Sequence, residues 1–352
     1  MNKKLIFFLI CLGNITISFN VAAVTAVVPV IAGDLGIPDF LASKVIHYYL
    51  LPYGIGALLY APLTRFFSYR TILSASMILF GLSCFFCARA DQLLMLLIGR
   101  VGMGVTAAGA IPLGLMMIGD VFERHRRGRL VGLFFSCSFF ASLFGIALSG
   151  IVDWRILFYI PVALAVLLAG LLMGLKTHWL DKVHGEKVNY TKIFTDFRIR
   201  NIFTFIFMVS FLYHGVHKWY GVFLSQDYQL DKLAISVFFI ISILGGAFGQ
   251  LIGGVISDKK GREVSVMIGV LGLGITVILL SMPHSLYMLG TILFLISMFW
   301  TTGHNGLSTV LTDFPDQDRP VIASLNSSIR FISGGLGFWI SGFFVKQSFG
   351  LT

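Results

Sequence analysis

Gly253-Gly254-Val255-Ile256-Ser257-Asp258-Lys259-Lys260-Gly261-Arg262 closes one long apolar run and, within a few residues, opens the next. Apolar sequence on both sides, glycines at the turn and a compact Asp/Lys/Arg cluster describe a tight cytoplasmic hinge between two membrane-spanning helices. The rest of the chain is consistent with that reading. Of 352 residues, 57% are apolar and only 12% charged, and the mean hydropathy is +0.89. A soluble domain carries about twice that share of charge. Spans need about 20 apolar residues each, and such runs fill nearly the whole chain, which leaves no room for a soluble domain.

Eleven apolar segments are predicted, at about 5–31, 44–66, 71–90, 93–119, 130–152, 156–176, 201–224, 233–257, 264–282, 286–311 and 320–345. The opening Met1-Asn2-Lys3-Lys4 and Leu5 to Leu12 look like a signal peptide. The apolar run continues to about Ile31, so it is read as an uncleaved first span. The expected class is an all-α polytopic membrane protein with three parts. Residues 1–176 form a six-helix bundle, 177–200 a basic cytoplasmic linker, and 201–352 a second bundle of five helices.

Charge orients these spans. Lys and Arg stay on the cytoplasmic side of short loops. With the N-terminus inside, eighteen of the 26 Lys and Arg fall on the inner side and five on the outer. The remaining three, Arg100, Lys218 and Arg330, lie within spans. The net charge of +10 is thereby explained without nucleic acid. The four cysteines all lie in apolar runs and are read as packing residues. No nucleotide loop, metal-ligand cluster or nucleophile with a positioned base is present, so no enzyme and no cofactor are expected.

An offset of 193 carries Arg65 onto Asp258, Asp120 onto Asp313 and Arg126 onto Arg319. Three coincidences at one offset indicate two tandem halves, as in transporters built from parallel repeats. The same offset puts the counterpart of the sixth span near residue 349, so a twelfth span is expected to be missing.

With these features the chain resembles the major facilitator superfamily over nearly its whole length. Gly254 to Arg262, with Asp258 and Gly261, matches that family's glycine–acid–basic loop signature. Ala61-Pro62-Leu63-Thr64-Arg65-Phe66-Phe67-Ser68-Tyr69-Arg70 is a worn first copy, with Arg65 where the acid belongs. Arg100-Val101-Gly102-Met103-Gly104 matches the fourth-helix signature. Gly119-Asp120 to Arg129 resembles the next loop of drug- and metabolite-exporting branches, and Trp154-Arg155-Ile156-Leu157-Phe158 the entry to the sixth helix. Gly145-Ile146-Ala147-Leu148-Ser149-Gly150 lacks the Gly-Pro pair of the antiporter signature. The resemblance implies two bundles rocking about a central cavity lined by helices 1, 4, 7 and 10, with 2, 5, 8 and 11 between the bundles.

Small-residue stripes fall on those four interface helices: Gly54, Ala57 and Ala61; Ser138, Ser142, Gly145 and Ser149; Gly245, Gly249 and Gly253; Gly334, Gly337 and Ser341. Small residues let helices approach closely in lipid, and here the stripes are expected to be sliding contacts between bundles. Gly254, Asp258, Gly261 and Arg262 are expected to gate one side. Arg65 and Arg70 are expected to face Asp316 and Asp318 as a charge-swapped latch on the other. Ionisable groups inside spans are costly and mark function. Arg100, His214, Lys218, His304, Asn305, Arg330, Asn14 and Asn20 are therefore the candidate lining of a substrate or coupling cavity. All 16 acids lie in loops or at helix ends, which points to an anionic or neutral polar substrate.

The expected protein is a monomeric secondary transporter of the inner or plasma membrane. It moves a small solute by alternating access, in the direction of efflux and with proton coupling. Uptake of an organic anion by symport and a non-transporting relative remain as alternatives.

Overall fold

The computed structural model describes residues 3–175, 178–181, 190, 195–310 and 319–345; side chains at 124, 125, 127–129, 178, 179, 258, 308–310, 319 and 320 lie outside this description. The first half comprises α1 (Lys3–Ala26), α2 (Lys44–Leu63), α3 (Tyr69–Ala88), α4 (Leu93–Val121), α5 (Arg124–Ser149) and α6 (Ile156–Gly174). The second comprises α7 (Phe197–Gln226), α8 (Lys232–Lys260), α9 (Arg262–Leu280), α10 (Leu286–Val310) and α11 (Arg319–Val345). Ten of these are long and apolar enough to cross a membrane. The exception is α2. Its 20 residues suffice in length, but His47, four tyrosines and two prolines dilute its apolar content.

Local sequence sets several ends. Ser68 accepts from Thr71 N–H at 3.3 Å at the start of α3, Asp196 from Arg198 N–H at 2.8 Å at α7, and Asp231 from Ala234 N–H at 2.8 Å at α8. Each satisfies amide donors that the first turn of a helix leaves open. The hinge between α8 and α9 is a single residue. Gly261 has φ 95° and ψ 157°, a conformation essentially restricted to glycine. The tight turn expected from the sequence is therefore present, and its glycine is obligatory. Both α4 and α7 are interrupted near their middles, at Ala108–Gly109 and Lys218–Trp219.

Within the first half α1 packs on α5, α3 on α6, and α4 on both α2 and α3; within the second α10 packs on α8 and α9, and α7 on α11. The bundles meet where α2 and α4 pack on α11, and α5 on α8. The loop ends at Arg65, Arg126 and Lys259 mark the basic side of the molecule.

The stripes divide differently from the sequence expectation. On α8, a methyl at Gly245 would run into Phe294 O, one at Gly249 into Met298 O, and one at Gly253 would lie 2.9 Å from Thr302 Cα. All three therefore face α10 inside the second bundle. Gly145 faces Phe19 O of α1, and Gly337 faces Phe211 O of α7. Of the glycines in the stripes, only Gly54 meets the other bundle, with Ser328 O and Ile332 N each 2.9 Å from its would-be Cβ. Close backbone approach is used chiefly to weld each bundle, where van der Waals contact must replace a hydrophobic drive that lipid does not supply.

Candidate functional site

The span polar groups fall into two clusters. The first is built on Arg100, in the first third of α4 and only 2% exposed. Its Nε donates to Val45 O at 2.9 Å, one terminal nitrogen donates to Asn20 Oδ1 at 2.8 Å, and the guanidinium lies 4.4 Å from the Tyr49 ring centroid. Asn20 in turn donates to Leu157 O at 3.0 Å, so α1, α2, α4 and α6 converge on one cation. No acid takes part among the described residues. Two charge-assisted hydrogen bonds contribute about 1.5–3 kcal/mol each, and a desolvated cation–π contact about 2 kcal/mol. Together they offset most of a desolvation cost of several kcal/mol.

Asn14 donates to Phe134 O at 2.8 Å and ties α1 to α5. It also lines a cavity of about 120 Å³ with Ser18, Tyr49, Tyr53, Ile111 and Phe331. This cavity lies among α1, α2, α4, α5 and α11, so its lining differs from the helices 1, 4, 7 and 10 that the resemblance implied. Tyr53 of α2 and Phe331 of α11 stack with centroids 3.7 Å apart and both line it.

The second cluster lies in the other bundle. Tyr213 and Trp300 stack at 4.2 Å and 2°, His214 lies 5.6 Å and His304 5.5 Å from Trp300, and His217 stacks on Tyr213 at 4.9 Å. The Nδ1 atoms of His214 and His217 are buried with no hydrogen-bond partner. The Lys218 side chain, half-buried at the break in α7, makes no hydrogen bond or ion pair among the described residues, while its backbone N–H donates to His214 O at 3.3 Å. Among the described residues, neither His214 nor Lys218 has an ion-paired carboxylate. Arg330 Nε donates to Asn326 Oδ1 at 2.7 Å.

The structure thus brings His214 and His304 together around Trp300, with Lys218 one turn after His214 on α7 and Arg330 one turn before Gly334, which faces His214. It directs Asn305 elsewhere: its amide donates to Gln250 O at 3.0 Å, beside Thr301 to Gly246 O at 2.7 Å and Thr302 to Gly249 O at 3.1 Å. That polar run stitches α10 to the glycine seam of α8. His217 and the Tyr213–Trp300 stack were not singled out from sequence; the i, i+3 spacing of His214 and His217 was the available signal.

Of the loop residues, Arg65 is exposed, 5.3 Å from the Phe66 ring. Arg70 pairs with Asp181 at 2.6 Å and donates to Leu172 O, because the first turn of α3 lies beside the end of α6. Arg70 is therefore turned to its own bundle and the following segment. Gly254 is half-buried near Asn305, and Arg262 opens α9. The Asp258 side chain and residues Asp316 and Asp318 lie outside the described residues.

Away from the basic side, the bundles are joined by Ser149 and Ser236 hydroxyls 3.1 Å apart, Lys232 Nζ to Val152 O at 3.4 Å, and Gln226 to Asp39 at 2.6 Å.

The Major Facilitator Superfamily profile matches residues 10–338. The chain belongs to the major facilitator superfamily. Its six- and five-helix bundles are those of the major facilitator fold, and it is a multi-pass membrane transporter that moves a small-molecule solute. The MFS-type transporter YwfA of Bacillus subtilis is 26% identical over 80% of this chain and 71% of that protein. Multidrug resistance protein 3 of the same organism is 23% identical over 92% and 75%. Among solved structures, a bacterial homolog of the human lysosomal transporter Spinster, inward-facing and unoccupied, superposes with a TM-score of 0.81 at 18% identity, covering 98% of this chain and 82% of that one. The D-xylose–proton symporter gives 0.74 at 18%, covering 96% and 89%.

Proposed function

We infer that this superfamily member is a proton-coupled exporter of the plasma or inner membrane, with its N-terminus and basic side in the cytoplasm. Orientation rests on the eighteen-to-five bias of Lys and Arg. The observation that carries alternating access is the thin polar seam at one end of α5 and α8, Ser149 against Ser236. A small contact at the end away from the basic side supports an inward-facing state, in which the outer ends are closed and solute enters from the cytoplasm. Efflux is supported by the loop resemblance and by relatives named as efflux or multidrug proteins.

The charged loop ends act as latches on the cytoplasmic side. Asp258 serves one, and Arg65 opposite Asp316 and Asp318 the other. Arg65→Asp lowers flux, and Asp316→Arg in the same chain restores it; a harmless Arg65→Asp removes this latch from the mechanism.

Purified protein in proteoliposomes tests the main reading. Export against an inward proton gradient, abolished by its collapse, supports proton antiport. Flux that follows the proton gradient inward makes it a symporter.

A further inference from the structure

The cavity of about 120 Å³ between the bundles has an uncharged lining throughout. Several of its polar side chains are spent on the protein itself. Asn14 donates to Phe134 O and accepts from Ser18 at 3.4 Å, and Ser142 donates to Ser18 O at 3.1 Å. The two tyrosines differ. Tyr49 is 1% exposed and its hydroxyl is buried with no hydrogen-bond partner. Tyr53, its ring centroid 5.8 Å from that of Tyr49, makes no hydrogen bond among the described residues either. A buried donor left unsatisfied is costly, and in this cavity that cost falls on the empty state. Arg100 lies 4.4 Å from the Tyr49 ring centroid without lining the cavity. A cation against the π face draws electron density from the ring, which makes its hydroxyl a stronger donor.

Size and chemistry together select the occupant. An apolar cavity of about 150 Å³ holds one benzene, so this one admits a single ring and little more. An ion would lose its hydration here with no opposite charge in the lining to replace it. Apolar walls with a few placed polar groups are the usual make-up of a small-molecule site. We propose that the transported solute is an uncharged aromatic molecule, one ring of which lodges beside Tyr53 and Phe331 while a carbonyl or ether oxygen accepts from the Tyr49 and Tyr53 hydroxyls. Phe331 is the lining residue that α11 contributes, so a bound ring touches both bundles. Contacts to both give the solute a different affinity for each arrangement of the bundles, which is what shifts their equilibrium. Of the anionic and neutral solutes expected from sequence, the cavity favours the neutral. The proposal rests on the transporter reading but not on the direction of transport.

Equilibrium binding to the purified full chain in lipid nanodiscs, with binding to empty nanodiscs subtracted, reads occupancy without flux. The probe is acetophenone. Its controls are α-methylstyrene, of the same shape but without the oxygen, cyclohexyl methyl ketone, without the aromatic ring, and benzoate, with a charge. Acetophenone is expected to saturate and to bind at least fivefold tighter than each control. Tyr49→Phe/Tyr53→Phe keeps both rings and removes only hydroxyls without partners. It is expected to keep Tm and to bring acetophenone within twofold of α-methylstyrene. Ile111→Trp, which fills the cavity, is expected to abolish acetophenone binding; should it fail to fold, the tyrosine pair carries the test. The proposal is overturned by a lack of saturable acetophenone binding, by any control binding as tightly, or by an unchanged preference in the double variant. Saturable binding with no flux in proteoliposomes overturns the transporter reading instead, and flux of another solute without acetophenone binding overturns this proposal alone.

Discussion

Asn20 accepts a hydrogen bond from Arg100 at 2.8 Å while donating one to Leu157 O at 3.0 Å. One amide on α1 thereby sets the rotamer of a buried cation on α4 and pins both to α6. Neither residue is a free lining group of the cavity; the pair is a joint.

Replacing Asn20 separates these roles. Asn20→Leu removes a hydrogen bond to a buried charge, at a cost of about 1.5–3 kcal/mol, and lowers Tm in detergent. Asn20→Asp keeps the shape and supplies a counter-charge to Arg100, but sets an acceptor against Leu157 O where Asn20 donates. It is expected to lower Tm less than Asn20→Leu does, measured by the same thermal unfolding.

The seam between Ser149 and Ser236 is short enough to cross-link, with hydroxyl oxygens 3.1 Å apart. A Ser149→Cys/Ser236→Cys protein, with Cys137→Ser to remove the one native thiol that is not buried, is expected to form a disulfide under mild oxidation. Flux in proteoliposomes falls to below about a tenth, since a factor of ten corresponds to only 1.36 kcal/mol, and recovers with reductant. Full flux with the bond intact rules out motion at this seam.

Gly249 tests the weld between α8 and α10. A Cβ there would meet Met298 O and Thr301 Oγ1, and the carbonyl cannot move without the helix. Gly249→Val is expected to cost about 1–3 kcal/mol or more through overpacking, seen as loss of monodisperse protein on size exclusion. Gly274→Val, where nothing lies within 4 Å, leaves the elution profile unchanged.

Asp34 links stability to pH. Its hydrogen bond from Arg155, 2.6 Å long, holds the carboxyl below its usual range against the opposing effect of burial, with a lesser contribution from the Trp154 hydrogen bond. A folded-state pKa below the unfolded value stabilises the fold above about pH 4. That contribution disappears as pH falls through the folded value. Because the pair is partly exposed, with side chains 31% and 42% accessible, it contributes no more than about 1 kcal/mol. Asp34→Asn is expected to lower Tm slightly at pH 7, by an amount that salt reduces, and to flatten the decline below pH 4.

Most of the spans, the one-residue hinge at Gly261 and the basic bias of one side were determined by the sequence itself. All are local: length, apolar content and a glycine-only φ are properties of a short window, and the bilayer imposes the same length on every helix. The pairing of the helix faces was decided only by the tertiary structure. In a soluble helix a polar face marks the outside. Here lipid and protein interior are equally apolar, so the pattern does not say which way a stripe turns. Gly245, Gly249 and Gly253 could have faced α5 as readily as α10 from their spacing alone. Asn305 reads as cavity lining from the sequence, whereas its amide donates to Gln250 O of α8. Arg100 and Asn20 are eighty residues apart, and His214, Lys218 and His304 come from two helices. The sequence named these polar residues because burying them is costly. Which of them satisfy one another, and which keep an unpartnered donor, follows from how the helices rotate against each other when the two bundles pack.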